Sequence, residues 1–144
     1  MTKIFISFAL LAGIIGTGVT PAMPTSAAMA QTTLNTSGQF SGAGRKTGDG
    51  TVTLVRNADG SATLTFQDFK VSRGPDLRVW LSDADTIIKS RDVKQSQYVE
   101  IGKLKSSKGD QSYVIPASAL AQGLDQVVIW CKPFGVLFAS AKLN

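Results

Sequence analysis

The chain has 144 residues, 43% hydrophobic and 17% charged, with 15 Lys and Arg against 10 Asp and Glu, a single Cys and no His. That composition suits one small globular domain. Without histidine there is no Ser-His-Asp or Cys-His nucleophile, no His zinc site and no His axial ligand for a haem, and one cysteine allows neither an intrachain disulfide nor a CxxC pair. The excess of positive charge is modest and spread along the chain, with no basic tract of the kind that binds nucleic acid.

Residues 1–30 differ in kind from the rest. Lys3 provides a positive start, Ile4 to Val19 is apolar apart from small residues and Ser7, and a Pro-containing polar stretch ends at Ala28-Met29-Ala30. This is the order of a secretory signal peptide with an A-x-A cleavage site, so cleavage is expected after Ala30. The apolar run is short for a membrane span, and Pro21 and Pro24 break the segment where a span would continue. A periplasmic or secreted protein with no stable membrane anchor after cleavage is the expectation. Residues 31–37 read as a loose leader and residues 38–144 as a single domain.

Gly42 to Gly50, reading GAGRKTGDG, invites a phosphate-loop interpretation, but its GxGxxxG spacing leads into a β-patterned run instead of a helix. A flexible surface loop is the better reading. Thr51 to Arg56 and Ala62 to Phe66 alternate apolar with polar residues and flank Asn57-Ala58-Asp59-Gly60, a turn suited to an antiparallel hairpin. Gly74-Pro75-Asp76 turns the chain into Leu77-Arg78-Val79-Trp80-Leu81, where the aliphatic positions face a core and Arg78 needs solvent or a polar partner.

Ser82 to Gln97 holds six charged side chains and three aliphatic anchors, Ile87, Ile88 and Val93, and reads as a long, mostly exposed loop. Its aspartates lack the calcium-loop pattern closed by a Glu. Further strands fit Tyr98 to Leu104, Ser112 to Ile115, Gln126 to Cys131 and Gly135 to Leu143, while Pro116 to Gly123 has the makings of one or two helical turns. The cadence predicts an all-β fold, an antiparallel sandwich or flattened barrel of about seven or eight strands. No hydrolase or transferase motif is present, and the aromatics fall mostly in strand positions where a core role is the default.

The blocks Gly50-Thr51-Val52, Asp68-Phe69, Gly74 to Ser82, Ile101 to Lys105, Gly109 to Pro116 and Val127 to Ala139, the last reading VVIWCKPFGVLFA, occur in an order that resembles the electron-transfer DM-thirteen domain, also called the Skeletor-type domain. The resemblance runs from about Phe40 to Leu143. It implies a secreted or cell-surface β-domain with a redox or electron-transfer role through one characteristic cysteine, used as a bare thiol or as a ligand to haem or another prosthetic group. Cys131 is the residue that matches. Family members often carry His near the glycine-rich start and after the Pro-Phe of the cysteine block, where this chain has Arg45-Lys46-Thr47 and Gly135, so the resemblance does not extend here to His-ligated haem or metal.

Two function classes stay open: a redox module acting through Cys131 towards a redox protein partner, and a non-catalytic extracytoplasmic module that binds a surface partner and keeps a buried structural thiol. Alternation places Val127, Ile129 and Cys131 on one face of a strand, which makes the thiol a small core hydrophobe by default. Lys132-Pro133 ends that strand directly afterwards, however, and a strand end lies at the rim of a sandwich. The redox reading therefore expects Cys131 to be partly accessible, with Trp130 and Phe134 packed around it. Separately, Trp80 and Trp130 lie near the middle of the two most apolar strands, so the fold expects at least one of them to be buried.

Overall fold

The structure is a computed structural model that describes residues 35–144 together with Gly16 and Gly18. The expected signal peptide, its cleavage point and most of the expected leader lie outside the described residues. Within 35–144 the apolar alternation produces nine strands and two short helices: β1 Thr36–Gln39, β2 Ser41–Gly42, β3 Gly48–Arg56, β4 Ala62–Val71, β5 Leu77–Ser82, α1 Ser90–Lys94, β6 Tyr98–Lys103, β7 Gln111–Ile115, α2 Ala117–Leu120, β8 Gln126–Cys131 and β9 Val136–Lys142. They form two antiparallel sheets, one in the order β1-β3-β4-β7 and the other β2-β9-β8-β5-β6.

The protein is thus all-β and sandwich-like, with the two edge pieces β1 and β2 added to the strands that patterning predicts. Both are short and rich in Gly and Ser, which hides them from a periodicity argument. Thr36 and Ser37, expected in the leader, pair with Leu54 and Thr53 as the start of β1.

The strand faces follow the alternation. Val52 and Leu54 from β3, Leu64 and Phe66 from β4, and Tyr113 and Ile115 from β7 meet Leu77, Val79 and Leu81 from β5 and Val127, Ile129 and Cys131 from β8 in one buried cluster. Phe40, Phe66 and Phe69 lie with ring centroids 4.8 to 4.9 Å apart, and Tyr113 stands 5.2 Å from Phe66. Gly50 sits at φ 112 where β3 and β4 slip register, and a side chain there would lie 2.8 Å from the Gln67 carbonyl. Only glycine combines that backbone with that approach.

The segment after β5 departs from expectation. It is a fastened cover on the outer face of the five-stranded sheet, where Ile87 and Val93 pack with Trp80, Val128, Trp130 and Leu137 in a second apolar cluster. Asp92 accepts the backbone N–H groups of Ile88 and Lys89 at 3.0 and 2.8 Å, which starts the single turn of α1. Three more bonds tie the segment to the sheet: Leu137 N–H to Ser90 Oγ, Ser140 Oγ to the Ile87 carbonyl, and Gln126 Nε2 to the Asp85 carbonyl. Charge density concealed this cover, because Ile87 and Val93 suffice to anchor it while the charged side chains face water.

Candidate functional site

Cys131 is the last residue of β8, placed opposite Leu77 of β5 and Val136 of β9. It is 0% exposed. Its Sγ donates to the Pro75 carbonyl oxygen at 3.3 Å, so the Gly74-Pro75-Asp76 turn closes over the thiol. Lys132 N–H also donates to the Asp76 carbonyl at 3.3 Å, fastening the turn to the end of β8 a second time. Asp76 holds φ at 45, a left-handed conformation that Asp tolerates.

This overturns the expected accessibility of Cys131. The strand does end at the rim, but the β5 turn covers that rim, and the alternation argument for a core thiol prevails. The expected companions are also elsewhere. Trp130 is 3% exposed but belongs to the cluster on the opposite face of the sheet, because adjacent residues of a strand point to opposite sides. Phe134 is 71% exposed in the turn between β8 and β9 and does not pack around the sulfur.

What sequence reasoning missed is the placement of Phe138, which belongs to the same inner cluster as Cys131 and bears on the covering turn. Ile129 pairs with Ala139 and Trp130 with Leu137, so Phe138 is the extra residue of a bulge and its ring turns inward. Gly74 lies on that ring, closely enough that a Cβ would be 2.6 Å from Phe138 Cζ. The Lys46 ammonium stands 5.1 Å from the ring centroid.

On its outer side the covering turn borders a depression of about 380 Å³, lined by Arg73, Gly74, Asp76, Leu77 and Lys103 through Ser107. Beside it runs an ion-pair chain. Arg78 meets Asp76 through two hydrogen bonds of 2.6 and 3.1 Å and Glu100 through one of 2.9 Å, and Glu100 receives Lys132 at 3.2 Å. The polar partner that Arg78 required is therefore present. The hydrogen bond from Arg78 holds the Asp76 carboxyl below the usual carboxylate range, and the same contact raises the Arg78 guanidinium.

A prosthetic group at Cys131 does not fit this arrangement. The sulfur is fully enclosed, its hydrogen bond is made to backbone, and among the described residues no three His, Cys, Asp or Glu side chains stand together to hold a metal. The chemistry available at this position is that of a sheltered thiol beside a polar depression whose lining carries Arg73, Lys103 and Lys105 together with the Asp76 carboxylate, the last paired with Arg78.

Neither curated proteins nor solved structures provide a match to the chain. The family model described as Electron transfer DM13 matches residues 39–143, from the end of β1 to just past β9, and so takes in both sheets, the covering turn and Cys131. The chain belongs to the Electron transfer DM13 family.

Proposed function

We propose that this protein is an exported electron-transfer domain, periplasmic or secreted after cleavage behind Ala30, that uses Cys131 as its redox residue towards a protein partner. The observation that carries the reading is the hydrogen bond from Cys131 Sγ to the Pro75 carbonyl, which links the chain's single thiol to the turn bordering the polar depression. A thiol held this way is shielded from bulk oxidants, yet displacing one turn exposes it without unfolding the sandwich. Arg73 and Lys103, which line the depression, offer cationic contacts to an acidic partner surface.

The complete burial of Cys131 favours a second reading, a non-catalytic extracytoplasmic interaction module in which the thiol is only packed. One experiment separates the two. The exported protein, whose intact mass is expected to start at Gln31, is titrated natively with a thiol reagent beside Cys131→Ser, while haem, copper and flavin are offered and visible absorption is recorded. The redox reading expects slow, complete native labelling of Cys131 and electron exchange with a mild mediator, one too weak to oxidise aromatic rings, that the serine variant loses. Labelling only after global unfolding, with electron exchange unchanged in the variant, replaces it with the second reading.

A further inference from the structure

The outer face of the five-stranded sheet holds a second redox-competent group, separate from the thiol. Trp80 of β5 stacks on Tyr98 of β6 with ring centroids 4.2 Å apart and planes within 4°, and on Trp130 of β8 at 5.0 Å and 25°. The chain has two Trp and two Tyr in all, and both indoles lie in this stack. Tyr98, at the edge strand, is 48% exposed, whereas Trp80 is 6% exposed. Trp80 Nε1 is buried with no hydrogen-bond partner, the one such side-chain atom among the described residues. Buried indole N–H groups ordinarily find an acceptor, so its solitude asks for an explanation beyond packing.

We propose that Trp130, Trp80 and Tyr98 form a one-electron relay that carries an oxidising equivalent from the buried indoles to the surface at Tyr98. Stacked rings in van der Waals contact overlap electronically, so an electron passes between them far faster than across the strand backbone. A one-electron oxidant takes an electron from the indole pair. Trp80, the one ring of the three that stacks on both others, holds the hole next to Tyr98.

With no acceptor for its Nε1 proton, oxidised Trp80 stays a protonated radical cation, which is a stronger oxidant than the neutral indolyl radical. It is refilled by one electron from the Tyr98 ring, and the phenolic proton leaves to the water that reaches this half-exposed side chain. Charge balances as Tyr98–OH gives Tyr98–O radical, one proton and one reduced oxidant. A one-electron reductant docked over Tyr98, together with a proton taken back from water, restores the phenol.

The proposal rests on the electron-transfer character of the family and not on Cys131. Its test is flash photolysis of the intact protein under argon at the red edge of the indole absorption, where phenol absorbs little, with an electron scavenger that yields no hydroxyl radical, so that the light ejects an electron from indole. Because every indole of the chain is in the stack, the starting radical is placed without labelling. The expected result is a protonated indole radical whose decay matches the growth of a tyrosyl radical.

Tyr98→Phe, which keeps the ring, should abolish that growth, and Tyr113→Phe should leave it intact. Trp80→Phe should slow it at least tenfold. Growth that survives Tyr98→Phe, or indole decay with no tyrosyl signal in the native protein, overturns the relay. The same growth in Cys131→Ser is expected, so that loss of the thiol reading and loss of the relay are told apart.

Discussion

Replacing Gly74 by Ala tests the closed turn at its narrowest contact. Gly74 lies outside the left-handed region, so alanine introduces no backbone strain there. The new Cβ would stand 2.6 and 2.8 Å from Phe138 Cζ and Cε1 and 3.1 Å from Leu77 Cδ2. Phe138 cannot swing away freely, since the bulge turns its ring into the core and Lys46 covers its face. The turn must lift instead, and overpacking of this kind costs about 1 to 3 kcal/mol. If that strain is relieved on opening, the labelling rate of Cys131 should rise about 5- to 150-fold, a tenfold change corresponding to roughly 1.4 kcal/mol. The assay is native alkylation of Cys131 at several low urea concentrations. Local opening of one turn exposes little surface and gives a weak urea dependence, whereas global unfolding gives a steep one. An unchanged rate in Gly74→Ala, or a native rate that follows urea as steeply as global unfolding, would refute local opening of the turn.

Phe66→Ala removes the ring that touches Phe40, Phe69 and Tyr113 at the centre of the sandwich, and urea denaturation should show a loss of about 3 to 5 kcal/mol. Asp59, Asp76 and Asp92 all have folded pKa values depressed by hydrogen bonds, from Ser61, Arg78 and the Ile88 and Lys89 backbone respectively. Their contribution is therefore present above the unfolded carboxylate pKa of about 3.9 and is lost as pH falls through the lower folded values, so thermal stability should hold at neutral pH and drop below about pH 4, less steeply in Asp76→Asn. Phe134→Ala should leave stability within about 0.5 kcal/mol and the Cys131 labelling rate unchanged, because that ring faces water; a faster rate would show that it shields the sulfur after all.

The strands, their faces and the inward position of Cys131 were legible because each rests on a period of two in Leu77 to Leu81 and Gln126 to Cys131. The same rule already implied that Trp130 and Cys131 part company, and the expectation that Trp130 packs around the sulfur set that rule aside in favour of nearness in sequence. What periodicity does not carry is the closure of the rim. It depends on a hydrogen bond from Cys131 to Pro75, fifty-six positions earlier, and on a bulge at Phe138 that no alternation announces. The cover formed after β5 was partly legible: Ile87 and Val93 are the anchors expected, but solvated charges outnumber them, and Ile88, read as a third anchor, is exposed. The stack on Trp80 needed the register of β5 with β6, itself shifted by a bulge between Val79 and Trp80 that brings Tyr98 opposite Ser82.

The register also decides how independent the proposed thiol site and the proposed ring relay are. Trp130 and Cys131 are joined by one peptide unit, yet the pleat sends the indole to the outer cluster and the sulfur to the inner one. Cys131→Ser keeps a donor for the Pro75 carbonyl and nearly the same volume, so it disturbs neither the turn nor the β8 backbone on which Trp130 rides. Cys131→Ala, by contrast, removes the donor to the Pro75 carbonyl and leaves a small void at the end of β8, which loosens the turn and blurs any comparison. The serine variant is therefore the one that isolates sulfur chemistry. A change in the Tyr98 radical yield in that variant would mean that the two faces exchange electrons through the strand itself, which a relay confined to the outer rings forbids.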